Sequence, residues 1–198
     1  MPCETFMSHD TEPLTPRQSA ILDAAFHAFS TYGFRRTTME DIAQSVGISR
    51  SALYLHYRNK DDILRSLAKR YFDEAVTNVA SELAQPDRPA ADALAAAFLA
   101  YDGKFMDVVL GTPHGAELLE AGHLISADFV AAGEARVREL LEGWLGAAPM
   151  PAGLGSAGDL AATVHAALKG LKTAAKSIAG YRAAQRQLAQ MVVLALGR

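Results

Sequence analysis

The sequence is poor in cysteine, in long apolar runs and in strand patterns, and each shortage excludes a class of protein. The single cysteine, Cys3, cannot form an internal disulfide, which favours a reducing compartment such as the cytoplasm. No apolar run approaches the roughly 18 residues of a membrane span, so no membrane partner is expected. No segment alternates β-branched and polar residues as a strand does, so the fold is predicted to be all-α. Residues 1–14 are polar and acidic, lack the features of a signal peptide, and are predicted to be a disordered tail.

The chain has no excess of positive charge, since its net charge is −3, and this value alone argues against binding to nucleic acid. The charges are unevenly distributed, however. Residues 35–70 hold eight Lys or Arg among four acids, whereas residues 71–198 hold ten basic and fourteen acidic residues. This asymmetry indicates a DNA-facing end and a body with another task, with a chance fluctuation in surface charge as the alternative.

Helix start and stop signals divide the N-terminal region into four helices. Thr15 with Pro16 and Gln18 opens the first helix, and Gly33 ends it. Either Thr37 or Thr38 caps the second helix, Ser49 caps a short third helix, and Asn59 caps a long fourth helix that runs to about Ala84. Two short helices joined by Val46-Gly47-Ile48 are typical of a helix-turn-helix.

The stretch FxxYGFRRTTMEDIAQSVGISRSALYLHYRNKDDIL carries a specific resemblance. Its spacing and residue types closely resemble the DNA-binding domain of TetR-family (TetR/AcrR-type) transcriptional regulators. The resemblance covers residues 15–64, about a quarter of the chain. It implies an N-terminal three-helix DNA-binding domain, with the fourth helix as connector, and a helical effector-binding and dimerisation domain over residues 65–198.

A recognition helix must pack one face on its domain and turn the other toward bases and phosphates. Leu53 and Tyr57 are predicted to face inward, and Tyr54 to reach a phosphate. Arg50 is placed to bond a guanine, and Leu55 to meet a thymine methyl, although each also has an ordinary surface interpretation. The predicted DNA-contacting residues are Thr38, Ser49, Arg50, Ser51, Tyr54, Leu55, His56 and Lys60.

The C-terminal region contains an aromatic stripe between residues 89 and 111, in the run PAADALAAAFLAYDGKFMDVVLG, whose plain interpretation is hydrophobic core. Because the family encloses a small-molecule site in this domain, the same residues become candidates for its lining. The predicted ligand-binding residues are Phe98, Tyr101, Asp102, Phe105, Met106, His123, Phe129, Trp144 and His165. An apolar or aromatic small molecule is the expected effector.

A ladder of acids and histidines lies between the stripe and the end of the chain: His114, Glu117, Glu120 and His123. Each Glu–His pair is close enough on a helix to chelate a metal. However, steps of three residues drift around the helix, so a charged, solvated face is the preferred interpretation. No metal and no cofactor are predicted.

The last two predicted helices, which follow a flexible loop at residues 147–158, suggest assembly. Their apolar residues recur at steps of three and four, and small residues between them allow another helix to approach. We expect a homodimer, and packing of these helices within the chain is the alternative. The predicted interface residues are Leu160, Val164, Leu168, Leu171, Ala175, Leu188 and Met191.

Together these features predict a ligand-responsive repressor that binds a pseudo-palindromic DNA operator as a homodimer and is released by a small molecule. A helical adaptor that retains the DNA-binding fold for protein contacts is one alternative. A small helical enzyme is another, but the sequence has no nucleophile motif and no phosphate-cradling loop, so the chain is not expected to be an enzyme.

Overall fold

The computed structural model describes residues 14–197, which form ten α-helices and contain no β-strand. The all-α prediction is confirmed. The predicted disordered tail lies outside the described residues, apart from Leu14. Within the described range, no helix is long and apolar enough to span a membrane. The helices are α1 (Pro16–Tyr32), α2 (Met39–Val46), α3 (Arg50–Tyr54), α4 (Lys60–Leu83), α5 (Ala90–Asp102), α6 (Phe105–Gly111), α7 (Gly115–Ile125), α8 (Ala127–Leu145), α9 (Ala157–Ala174) and α10 (Ile178–Ala195).

Side-chain caps begin the first four helices at the positions that the sequence predicted: Thr15, Thr38, Ser49 and Asn59. Of the two candidates for α2, Thr38 is the cap, because the Thr37 hydroxyl is buried and donates to the carbonyl of Gly33 at 2.8 Å. Gly47 joins α2 to α3 with a φ of 71°, a left-handed conformation that suits glycine. These local signals fix the helix-turn-helix before any long-range contact is considered.

Two hydrophobic cores organise the chain, and α4 contributes to both. The N-terminal half of α4 adds Ile63, Leu64 and Leu67 to a core formed with α1, α2 and α3. Its C-terminal half adds Phe72, Ala75 and Val79 to a second core with α5, α8, α9 and α10. Helix α7 also packs on the first core through Leu118, so the two halves of the molecule are joined by more than one element.

The sequence predicted a single helix through residues 89–111, and this prediction is wrong. The helix breaks at Gly103, whose φ is 52°, so that α5 ends at Asp102 and α6 begins at Phe105. Glycine has a low helix propensity and accepts a positive φ, and here those properties outweigh the apolar periodicity. The break separates Tyr101 from Phe105 and turns α6 away from the axis of α5.

The crossing of α4 and α8 depends on a glycine. A Cβ atom built on Gly133 would lie 2.2 Å from Cγ of the buried Phe72, much closer than real carbon atoms approach. Gly143, on the same helix, has no atom within 4 Å of the corresponding position. Close approach of the two helices therefore requires glycine at position 133 but not at position 143.

We expect Gly133→Ala to destabilise the fold by about 1–3 kcal/mol, because Phe72 must move out of a packed core. Gly143→Ala is the matched control, and it should be neutral or stabilising by up to about 1 kcal/mol through helix propensity. Urea denaturation of the two variants measures both effects. Equal stability of the two variants would contradict the packing described for this crossing.

Candidate nucleic-acid interface and internal cavity

The outer face of α3 and the residues after it form a polar, basic surface. Leu53 and Tyr57 are buried in the N-terminal core, whereas Tyr54 and Leu55 are 42% and 85% exposed. The Arg50 guanidinium lies 5.5 Å from the Tyr54 ring centroid and donates to the Tyr54 hydroxyl at 3.3 Å. Because Tyr54 accepts this bond, its own O–H remains free to donate. The inward and outward faces of α3 are thus arranged as a DNA-reading helix requires.

Other predicted contact residues have their polar atoms engaged within the chain. The Ser49 hydroxyl caps α3 and also lies 3.0 Å from the hydroxyl of Ser51. The Thr38 hydroxyl donates to the Asp41 carboxylate at 2.7 Å, and the Thr38 N–H donates to the same carboxylate. Donation by Thr38 to the α2 N–H partner Asp41 holds the pKa of that carboxyl below its usual value, so a negative charge stays at this helix end. A phosphate contact by Thr38 requires this capping box to open.

Lys60 has a structural role that the sequence did not show. Its ammonium donates to the carbonyls of Phe34 at 2.6 Å and Arg35 at 3.1 Å, and it lies 4.9 Å from the Phe34 ring centroid. An ammonium has three donors, so one remains for an external acceptor. The prediction of a freely available phosphate contact is therefore corrected: Lys60 first ties the segment before α2 to the start of α4.

A cavity of about 540 Å³ lies where the two cores meet, and helices from both cores form its walls. This volume is in the range of small-molecule sites. Of the predicted ligand-binding residues, four line the cavity: Tyr101, Asp102, Phe105 and His123. The Phe105 ring stacks on Phe26 of α1 at 5.9 Å and packs against Tyr71 of α4 at 4.8 Å between ring centroids. An aromatic wall thus spans three helices.

The remaining five predicted ligand-binding residues do not line the cavity, and each has another structural role. Phe98 and Met106 are fully buried in the hydrophobic clusters, and Trp144 packs on the C-terminal core. The Phe129 ring lies 4.7 Å from the Arg65 guanidinium. His165 is buried, with its Nε2 atom 3.3 Å from the Tyr101 hydroxyl. For these five, the apolar pattern marked ordinary core.

Sequence reasoning missed the polar group that the cavity contains. The carboxylate of Asp102 is 4% exposed and pairs with the Lys172 ammonium of α9 at 2.6 Å. It also accepts from the Tyr181 hydroxyl at 2.6 Å and from the Gln185 amide at 2.8 Å. The available signals were weak: Lys172 is a lone cation in an apolar helix, and Tyr71 lies in a helix that was interpreted only as a connector.

Burial keeps the phenols and the imidazole near this network uncharged. It raises the pKa of Tyr71, Tyr101 and Tyr181 above the ordinary phenol value, assisted by the nearby Asp102 carboxylate. Burial also lowers the pKa of His165 below its ordinary value, which favours the neutral ring. A neutral His165 can accept from the Tyr101 O–H.

The predicted dimer-interface residues mostly pack inside their own chain. Val164 and Leu168 are buried in the C-terminal core, and Leu160 and Leu188 pack against it. Leu171 and Ala175 pack on the cluster of Met106 and Tyr181. In addition, α9 ends at Ala174, so the seam drawn from Leu160 to Ile178 is not one helix. Of the seven residues, only Met191 is classed as exposed, because the apolar stripe is the face that each helix buries in its own domain.

The N-terminal end of α7 holds the segment between α1 and α2. The His114 N–H donates to the carbonyl of Ser30 at 3.1 Å, and the Glu117 carboxylate accepts from the Arg35 N–H at 3.0 Å. Gly33 makes this approach possible, since a Cβ there would lie 2.9 Å from Oε2 of Glu117. The Arg35 N–H, and then His114, hold the pKa of Glu117 below its ordinary value of 4.5.

These contacts also decide how the acid–histidine ladder is arranged. His114 Nδ1 pairs with Glu117 at 3.1 Å, whereas His123 Nδ1 lies 2.8 Å from the carbonyl of Leu119, to which it donates. In the described residues, no group of three or more His, Cys, Asp or Glu side chains is placed to hold a metal ion. Glu117 serves the contact with the N-terminal domain instead.

Comparison with known proteins agrees with this geometry in the N-terminal region. Residues 21–67 match the family model described as bacterial regulatory proteins, tetR family. The biofilm operon icaADBC negative transcriptional regulator IcaR of Staphylococcus epidermidis is 42% identical over 53 residues, 27% of this chain and 29% of that protein. The transcriptional repressor AcnR of Corynebacterium jeikeium is 39% identical over 59 residues, 30% of this chain and 31% of that protein. The chain thus spans about 30% of the length of the curated relatives it matches.

Solved structures extend the likeness in fold to nearly the whole chain. The fatty acid degradation regulator FadR from Bacillus halodurans superposes with a TM-score of 0.67 at 15% identity, covering 91% of this chain and 96% of FadR. SmeT, the repressor of the Stenotrophomonas maltophilia multidrug efflux pump SmeDEF, gives 0.65 at 21% identity, covering 94% and 92%. At these identities the likeness concerns the fold alone.

The fold and the outward face of α3 define a helix-turn-helix protein of the DNA-binding class. More narrowly, the family model, the relatives and the solved structures together identify the chain as a member of the TetR family, with the sequence match located in the N-terminal domain.

The contact between Glu117 and Arg35 leads to a prediction about stability. Glu117→Ala leaves the Arg35 N–H without its acceptor, so we expect a loss of about 1 kcal/mol or less, since the site is partly exposed. Because the pKa of Glu117 is lowered in the folded protein, this contribution is present above the ordinary pKa of 4.5 and is lost as pH falls toward the lowered value. Urea denaturation at pH 7 and at pH values below the ordinary pKa measures it.

Glu120→Ala is the matched control, because Glu120 is an exposed acid on the same helix. It should leave stability unchanged at every pH. Exchange of the Arg35 amide hydrogen should accelerate in Glu117→Ala and not in Glu120→Ala. Identical behaviour of the two variants would show that the contact contributes nothing.

Proposed function

We propose that the protein is a transcriptional repressor that binds a pseudo-palindromic operator through α2 and α3. The observation that carries this proposal is the division of α3 into a buried face, Leu53, and an exposed face, Arg50, Tyr54 and Leu55. Arg35, Arg36 and Arg58 add exposed positive charge to the same domain. Arginine and tyrosine can bond bases and phosphates, and an exposed leucine can contact a thymine methyl.

Ligand response is the second part of the proposal, and the cavity supports it. The cavity is lined by α1 of the N-terminal domain as well as by helices of the C-terminal domain. Arg70 of α4 pairs with Asp23 of α1 at 2.8 Å beside it. A molecule that enters between Phe26, Tyr71 and Phe105 changes the spacing of α1, α4 and α6. Such a ligand shifts the population between DNA-binding and released states if it binds the released state more tightly.

Homodimerisation is the third part, and the exposed surfaces of α9 and α10 support it. Along α9 the exposed residues at steps of four are small: Ala162, Ala166, Gly170 and Ala174. Beside them α10 exposes Met191 at 60% and Leu194 at 76%. Small residues allow close helix approach, and exposed apolar side chains favour burial, so these surfaces fit a four-helix bundle with a second copy. A dimer also supplies the two recognition helices that an operator with two half-sites requires.

The DNA proposal is tested by selecting bound sequences from a random duplex pool and measuring affinity for the selected operator. Arg50→Ala should weaken the preferred operator by about 1–3 kcal/mol and relax the preference at one base pair in each half-site. Lys60→Ala should weaken all sequences about equally and flatten the plot of log affinity against log salt by about one unit per contact, while also lowering stability through the Phe34 carbonyl.

Arg138→Ala is the control, because Arg138 is an exposed arginine on α8, in the C-terminal domain. It should leave affinity, base preference and salt dependence unchanged. If Arg50→Ala loses affinity equally on every base variant, Arg50 reads no base. If the pool yields no preferred sequence for the unmodified protein, the operator proposal fails.

The dimer proposal is tested by placing a charge on the proposed interface. Leu194→Glu and Ala166→Glu should produce monomers at micromolar concentration, because a carboxylate without a partner is costly to bury. Leu124→Glu is the matched control, since Leu124 on α7 has the same 76% exposure as Leu194 but lies outside the proposed interface. Sedimentation velocity, with circular dichroism to verify folding, distinguishes the variants. A dimer that survives both interface variants would place the interface elsewhere.

A further inference from the structure

The charges around the cavity cancel one another. Three of the four cations that line it form ion pairs with three of the four acids: Arg70 with Asp23 at 2.8 Å, Lys169 with Glu134 at 2.9 Å, and Lys172 with Asp102 at 2.6 Å. The remaining two, Lys104 and Glu74, are exposed side chains of opposite sign. His123, which also lines the cavity, donates its Nδ1 hydrogen to the Leu119 carbonyl. A cavity balanced in this way offers no net attraction to an ionised ligand.

Lys172 differs from the other cations because it is buried and has spare donor capacity. Its side chain is 15% exposed, and its ammonium lies 4.9 Å and 6.0 Å from the ring centroids of Tyr101 and Tyr71. In the described part of the chain, the Asp102 carboxylate is the oxygen partner recorded for it. An ammonium has three N–H donors, so one or two remain for an acceptor inside the cavity.

Asp102, in contrast, has little remaining capacity. Its Oδ2 atom accepts from Tyr181 and Gln185, and its Oδ1 atom accepts from Lys172. Tyr71 donates to the Tyr101 carbonyl at 3.0 Å and reaches Asp102 at only 3.5 Å. The network therefore presents a donor to the cavity and no strong unsatisfied acceptor.

We propose that the cavity binds a neutral aromatic molecule that carries one hydrogen-bond acceptor, a ketone, amide or phenol oxygen, and that Lys172 donates to this oxygen. The aromatic wall of Phe26, Tyr71 and Phe105 packs on the planar body of the ligand. The proposal gives the chemical class of the effector, and in that sense it rests on the ligand response proposed above.

Ionised molecules of the same shape fit this site less well. An anion that approaches Lys172 also approaches the Asp102 carboxylate, whose charge opposes it at short range in a partly dehydrated site. A cation is repelled by Lys172 and finds no unpaired buried acid. Each would also lose its hydration on entry without gaining a full counter-charge. A neutral acceptor gains a charge-assisted hydrogen bond and avoids both costs.

The test uses four phenanthrene probes that differ only in their substituent: the 9-acetyl ketone, the 9-carboxylate, the 9-aminomethyl cation and the hydrocarbon itself. Their binding to the full chain at pH 7, without DNA, is followed by probe fluorescence. The ketone should bind at least about tenfold more tightly than each of the other three, as expected for one well-placed charge-assisted hydrogen bond. A tighter carboxylate or cation, a hydrocarbon equal to the ketone, or no binding by the ketone would overturn the proposal.

Two variants assign the preference to the ion pair. In Asp102→Asn the counter-charge is removed while the size of the side chain is kept, so the preference should change from the ketone to the carboxylate. In the double variant Asp102→Asn with Lys172→Met both charges are removed, which folded proteins tolerate better than one unpaired buried charge. There the ketone and the hydrocarbon should bind equally. An unchanged ketone preference in either variant contradicts the role given to Lys172.

Operator binding separates this inference from the proposed function. If the probes bind in the expected order but leave operator affinity unchanged, the ligand-response proposal fails and the ligand class stands. If the operator is bound and then released by a different molecule while the ketone does not bind, the ligand class fails and the proposed function stands.

Discussion

Helix α4 runs without interruption through both hydrophobic cores, and the rest of the architecture depends on that continuity. Its residues Ile63 and Leu64 are fixed among α1, α2 and α3, whereas Phe72 and Val79 are fixed among α5, α8 and α10. A continuous helix is stiff over this distance, because each turn is held by backbone hydrogen bonds. A change in the packing of one end of α4 therefore alters the position of the other end, and the two domains cannot rearrange independently.

The cavity lies beside the part of α4 that leaves one core and enters the other. Tyr71 occupies this point, and its ring contacts Phe105 while its hydroxyl donates to the Tyr101 carbonyl. Two further contacts bridge the domains nearby: Arg70 with Asp23, and Glu117 with the Arg35 N–H. Buried apolar packing is thinner here than within either core, so specific polar contacts hold the relative positions of the domains. Polar contacts of this kind contribute modest free energies, which a ligand can offset.

Sequence reasoning predicted the features that short-range chemistry decides. The caps at Thr15, Ser49 and Asn59, the left-handed turn at Gly47 and the helix-turn-helix all follow from residues within four positions of one another. It failed where a residue's partner lies far along the chain. Apolar periodicity marked Val164 and Leu168 as buried but could not say whether a second copy or the same chain buries them. It also gave no sign that Lys60 reaches Phe34, or that Lys172 reaches Asp102.

The buried carboxylate of Asp102 is difficult to explain by stability alone. It lies at the last residue of α5, where the helix dipole disfavours negative charge. Three donors, from Lys172, Tyr181 and Gln185, are directed at it to compensate. Apolar residues of similar volume in place of a buried ion pair often stabilise a protein equally well or better. What apolar residues cannot do is hold an ammonium in a fixed direction at the wall of a cavity. Orientation of Lys172 toward a ligand gives this costly arrangement a function, and it explains why the break at Gly103 ends α5 at the residue that must hold it.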